Sequence, residues 1–160
     1  MSDLIRKLEH DHEESLQRLT RLLHELLAQT QDPHRALSEI HVNFLEALDE
    51  MCLEVDHFAM EETSLFPAIL AVLPSLGPLV DEVQRSHQAL DGLVAQLGVT
   101  LQPGPVALQS ALPELTDLIQ RFLAEFTRHA QQENILLRRA QRELTEEQKA
   151  TLVALISDPQ

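Results

Sequence analysis

A histidine with a glutamate four residues on stands at His57-Phe-Ala-Met-Glu61, and the pattern returns at His129-Ala-Gln-Gln-Glu133, seventy-two residues later (129 − 57). On a helix, residues i and i+4 share a face one turn apart, so each pair can present a nitrogen and an oxygen to one point. Each motif also follows a lone histidine in the preceding helical segment: His12 lies forty-five residues before His57, and His87 lies forty-two before His129. The chain therefore reads as two copies of a helical hairpin. Four histidines and two carboxylates meeting inside a bundle make a site for two metal ions.

Composition supports an all-helical reading. The chain has 160 residues, 44% of them hydrophobic, with five Phe, four Gly and no Trp or Tyr. That is enough apolar material for one packed core, and the abundance of Leu, Ala, Glu and Gln favours helix over sheet. The formal charge of −14 and twelve scattered basic residues argue against a nucleic-acid partner. A single cysteine, Cys52, needs no oxidising compartment and reads as a packing residue. The N-terminus is charged from Asp3 and lacks a signal-peptide core, while the most apolar stretch, 65–80, is cut by Pro67, Pro74 and Pro78. Such a stretch falls short of a membrane span, which needs roughly 20 apolar residues. The expectation is one cytoplasmic domain over residues 1–160, with no membrane and no identifiable protein partner.

The apolar period predicts a first helix over about 3–30 and a second over about 34–72, capped by Asp32 and Pro33 and kinked or broken at Pro67. A third helix over about 78–97 ends in GVTLQPGP, and a fourth runs from near Pro113 to about 141. A short fifth helix starts at Thr145, where Gln148 three residues on fits a capping box; its Leu152, Val153 and Ile156 face the bundle. The fold expected is an up-down-up-down four-helix bundle with that extra helix.

Direction around each helix sorts the eight histidines. His12 falls at the centre of the stripe Ile5, Leu8, Leu16, Leu19 and Leu23, and His87 falls within Val83, Leu90 and Val94. His129 and Glu133 interrupt the stripe of the fourth helix between Phe126 and Leu137. A glutamate there is the sharpest single signal, because an ionised carboxylate is rarely buried without a partner. Glu61 shares the apolar side of the second helix with Leu53, Phe58, Leu65 and Ile69, whereas His57 lies toward its edge. His10, His24, His34 and His41 read as solvated or capping residues. One inward histidine is more often a hydrogen-bonded core residue than a ligand, but two matched sets of three need a shared explanation.

Imidazole with carboxylate suits iron, zinc, manganese or nickel, and the lack of thiolate argues against a Cys-rich structural zinc site. A ferritin-like reading remains open, since Glu9 with His12 and Glu54 with His57 match its Glu-x-x-His spacing, but it leaves His87 and His129 without a role. Judged from the first half of the second helix, Glu62 also points inward, and Glu13 and Glu54 are further carboxylates near the candidate ligands.

The segments EHDHEESLQRL, HFAMEETSLFPAIL, RSHQALDGLV and HAQQENILL together resemble the hemerythrin-like HHE cation-binding domain, in the family's order and over nearly the whole chain. The resemblance implies that His12, His57, Glu61, His87, His129 and Glu133 bind two iron ions, oxo- or hydroxo-bridged, with Glu61 and Glu133 spanning them; another divalent metal is the alternative. Two positions depart from the oxygen-carrying members: Val83 stands where they have a second histidine, and Asn134 where they have an aspartate. One nitrogen fewer implies an iron more open to dioxygen, peroxide or nitric oxide. The function expected is binding of a small diatomic or peroxide ligand for sensing, storage or stress protection. The alternatives are turnover of peroxide or nitric oxide, iron handling for iron–sulfur repair, and a metal-free acidic adaptor.

Overall fold

The computed structural model describes residues 3–157, and every regular element among them is helical. Helix α1 spans Asp3–Thr30, α2 Leu37–Met60, α3 Phe66–Val72, α4 Gly77–Leu101, α5 Leu108–Glu143 and α6 Glu146–Ser157. The four long helices pack side by side: α1 against α2 and α5, and α4 against α2 and α5. Helix α6 lies on α3. No helix among the described residues is long and apolar enough to cross a membrane.

Between α2 and α3 lies one π-helical turn, Glu61–Leu65, in which the Phe66 N–H reaches the Glu61 carbonyl five residues back. This is the form that the disturbance expected at Pro67 takes. Pro67 has no N–H to give to the Thr63 carbonyl, and its ring crowds that carbonyl. The strain is relieved one turn earlier by widening the helix, and Pro67 sits in the first turn of α3, where a missing donor costs little. The Thr63 hydroxyl donates to the carbonyls of Ala59 at 2.9 Å and Met60 at 3.2 Å, so the loosened turn keeps partners. Such π turns recur at functional sites.

Other boundaries shift for local reasons. Asp32 accepts from the His34 N–H at 2.9 Å and so shapes a turn; α2 begins only at Leu37, after extended Ala36. Helix α4 continues through Gly98 to Leu101, and the chain reverses at Gly104, whose φ of 82° suits glycine alone. Pro113 lies inside α5 rather than at its start, because buried Leu108 anchors the first turn; Pro113 is only its sixth residue, so a single helical bond is lost. The capping box at α6 forms as expected: the Thr145 N–H donates to Gln148 at 2.9 Å and the Gln148 N–H to Thr145 at 3.2 Å. Three residues assigned to the interior are outside it. Leu53 is 60% exposed and Cys52 is exposed, since both lie on the outer face of α2 with Asp49 and Asp56, and Val153 on α6 is 38% exposed while Leu152 is buried.

The core divides in two. One cluster holds Leu19, Phe44, Met51, Phe58, Leu90, Phe122 and Phe126 among others, and a second holds Ile5, Leu65, Phe66, Val83, Leu136 and Leu137. Between the clusters, on all four long segments, stand His12, Glu61, His87, His129 and Glu133. Phe122→Ala in the first cluster is expected to cost about 3–5 kcal/mol, and Leu53→Ala about 0.5 kcal/mol or less. Urea unfolding of the two variants checks this; equal losses would contradict the assignment of Leu53 to the surface.

Candidate metal centre

Glu61, at the end of α2 and the start of the π turn, faces the interior and is 4% exposed, and the stripe of α5 brings His129 and Glu133 inward, each 2% exposed. His87 is also buried, and His12 and His57 are half-buried, with His57 toward the edge. All six meet in one layer. His12 Nε2 lies 2.9 Å from His57 Nε2, and both face Glu61 Oε1, at 3.0 Å and 2.7 Å. The other Glu61 oxygen, Oε2, lies 3.4 Å from His87 Nε2. Glu133 repeats the arrangement, with Oε1 3.3 Å from His12 Nδ1 and Oε2 3.3 Å from His129 Nε2. Each carboxylate thus turns one oxygen to the His12 side and the other to a histidine across the layer.

These approaches are close but poorly aligned as hydrogen bonds. Both Glu61 oxygens, Glu133 Oε1, His12 Nδ1 and His87 Nε2 are buried without a hydrogen-bond partner. Buried polar atoms are seldom left so, and a cluster of them aimed at common points fits an ion better than it fits a proton network. His12, His57 and Glu61 offer three ligand atoms within 4.8 Å of one another. Two nitrogens each about 2.0–2.1 Å from one ion, at right angles, stand about 2.9 Å apart, the spacing seen between His12 and His57. The donor set therefore fits a bound cation.

Aromatic rings enclose the inner half of the layer. Phe58 stacks on His87 with centroids 4.2 Å apart and planes 8° apart, and it meets His129 edge-on at 4.8 Å. Phe66 lies on the far side of His87 at 5.8 Å. Against the layer sits a void with about 10 Å³ of room, lined by His12, Glu54, His57, Phe126, His129 and Glu133 among others. That is space for about one water-sized occupant.

The remaining candidates separate clearly. Glu13 is exposed and accepts from Gln17 at 3.3 Å. Glu9 turns to Arg138, 3.9 Å away, which removes it from the Glu-x-x-His alternative. Glu54 is buried and faces the void, while Glu62, which the period of the first half of the second helix directs inward, bonds to His87 Nδ1 at 2.9 Å. His10 has the same spacing to Glu14 as the two motifs, but both are more than 70% exposed. His24 and His34 are exposed, and His41 reaches the Leu101 carbonyl at the end of α4 at 3.3 Å, a capping contact.

The family model for the hemerythrin HHE cation-binding domain matches residues 3–140. The chain belongs to that family. No significant match was found among curated proteins or solved structures. The HHE match runs from the start of α1 almost to the end of α5, so all six candidate residues lie inside it, and α6 lies outside.

Without metal, the layer has a defined charge state. Burial pulls the His12 imidazole down, but the adjoining Glu61 and Glu133 carboxylates outweigh it and raise its pKa to about 9. Its two nitrogens face one carboxylate each, an arrangement that suits the doubly protonated ring. Glu61 beside His57 raises that ring too, against its partial burial. Burial pushes Glu61 up, but His12, His57 and His87 together hold it far below the usual carboxylate range. Burial and the nearby Glu61 charge push Glu133 up, against the pull of His129 and His12. A raised histidine pKa contributes stability that is complete below about 6.5 and lost as pH rises through the folded value. Metal-free protein is therefore expected to lose up to about 3 kcal/mol between pH 6.5 and about 9. His12→Gln should flatten that slope in urea unfolding under chelator; a metal-free wild type whose stability is level or rises over this range would contradict the assignment.

Proposed function

We propose that this HHE domain holds two iron ions between Glu61 and Glu133 and binds a small oxidant there, for sensing, storage or protection against oxidative stress. The observation behind this reading is the doubled carboxylate arrangement: each glutamate offers one oxygen to either side of a layer that also holds four imidazoles. His12, His57 and Glu61 would hold one ion, and His87, His129 and Glu133 the other, in an up-down-up-down bundle. Iron bound there supplies one-electron chemistry and affinity for dioxygen, peroxide or nitric oxide. The protein's part is to hold the donors and keep bulk water out. Phe58, Phe66 and Phe126 wall the inner rings, and the void beside Glu54 admits a ligand of about water size only.

Val83 bears on which ligand is bound. It is fully buried and packs with the second apolar cluster, so no nitrogen reaches the layer from that position. A site with five histidines saturates its metals more fully than one with four. This favours a reactive or sensing site over a reversible carrier. A turnover reading draws on Glu54, a buried carboxylate that lines the void and can hold or give up a proton there.

Gently purified protein is expected to contain iron and to show ferric absorption bands that stand out in the near ultraviolet, where a chain without Trp or Tyr scarcely absorbs. Ligand at a hundredfold excess over Kd adds about 2.7 kcal/mol, roughly 5–10 °C in Tm for a chain of this size. Chelation should remove that increment, and Glu133→Ala should never show it. Wild-type protein that carries no metal, and whose Tm chelator and Fe(II) leave unchanged, would overturn the reading. Equal peroxide turnover by wild type and Glu133→Ala would exclude this site as a place of catalysis.

A further inference from the structure

Glu61 and Glu62 are adjacent in sequence yet stand on opposite edges of one imidazole. Glu61 Oε2 is 3.4 Å from His87 Nε2, and Glu62 Oε1 is 2.9 Å from His87 Nδ1. In a regular α-helix neighbouring side chains diverge by about 100°. Here both open the π turn Glu61–Leu65, and both reach His87 on α4.

We infer that Glu62 is the positioning residue for His87: it selects the tautomer and ring orientation that turn the Nε2 lone pair into the layer. This rests on the metal reading above for its consequence, but not for its geometry. Carboxylates face both nitrogens, but only the 2.9 Å contact with Glu62 is a hydrogen bond, while Glu61 Oε2 stands 3.4 Å from Nε2 and is not aligned with it; the single N–H of a neutral imidazole therefore sits on Nδ1. Nε2 is then left as a bare acceptor, and it is buried without a hydrogen-bond partner on the side that faces Glu61. Phe58 and Phe66, with planes 8° and 16° from the imidazole, fix the plane of the ring. They do not fix its direction within that plane, since a half-turn about the Cβ–Cγ bond leaves the stack unchanged while it exchanges each nitrogen for a carbon. Glu62 breaks that tie.

The geometry is specific to one histidine. His129 Nδ1 is buried with no hydrogen-bond partner, and both nitrogens of His12 face carboxylates of the layer itself. Glu62 is half-buried at the rim of a groove of about 140 Å³ between α2 and α4, beside Gln88 and Asp91, so its charge is partly solvated and inexpensive to keep. A carboxylate that holds a ligand histidine from behind typically accounts for 10–100-fold in metal affinity.

The test uses wild type, Glu62→Ala and Glu62→Gln, the last retaining an acceptor without the charge. Two readouts are needed: nitrogen NMR of the metal-free proteins well above the ordinary histidine range, and Fe(II) affinity by anaerobic chelator competition. The expected result is Nδ1–H at His87 in wild type, a mixed tautomer in Glu62→Ala, affinity lower by 10–100-fold in that variant, and recovery to within a few-fold in Glu62→Gln. A His87 tautomer unchanged by Glu62→Ala overturns the inference, as does undiminished Fe(II) affinity. A tautomer that shifts as expected in a wild type that binds no Fe(II) sustains the positioning role and overturns the metal reading instead.

Discussion

Two carboxylates in an apolar interior are the constraint on which the rest depends. An unpaired buried carboxylate costs several kcal/mol, and Glu61 and Glu133 are both almost fully enclosed. Four helices each bring an imidazole toward them, and the sequence spaces those imidazoles so that helical geometry alone delivers them to one level. The layer divides the apolar core into two clusters, each continuous across the long helices. A bundle built for stability alone would join the clusters with leucine. Here the interruption holds donors that remain under-satisfied when they have only each other.

The neighbourhood of the layer is organised around the same demand. The π turn at Glu61 widens the second long segment where two successive glutamates are needed on its inner side. Pro67 drives that widening, and the Thr63 hydroxyl supports it. Phe58 belongs to the larger apolar cluster yet stacks on His87, so it ties the orientation of a polar ring to the packing of the core. The outward side is more open: His57 lies at the edge, and the small void beside Glu54 adjoins it.

Most of this was legible in the sequence where helical period decides. The inward histidines of α1, α4 and α5, the buried Glu133 and the capping box at Thr145 all follow from spacing of three to four residues along regular helix, and the family from the resemblance of four segments to its motifs. What escaped was set by irregular backbone or by how helices meet. Glu62 reads as inward from the first half of the second helix, but its hydrogen bond to His87 depends on how two helices meet, which a step along one helix does not represent. The start of α2 at Leu37 depends on Asp32 shaping a turn instead of capping a helix. Leu53 groups with Phe58, Leu65 and Ile69, which are buried, yet is itself exposed, and Cys52 reads as a packing residue from its type, which does not say what the neighbouring helices cover. Pro113 misled in the opposite sense, as a proline near a helix start marks the first turn only approximately.

The central claim is that the polar layer is a dinuclear metal centre spanned by Glu61 and Glu133. Anomalous diffraction at the iron absorption edge from crystals of iron-loaded protein tests it most directly. The account predicts two peaks about 3–4 Å apart within the layer, between the two carboxylates and each bordered by two of the four imidazoles. A single peak, or peaks only outside the layer, would contradict it.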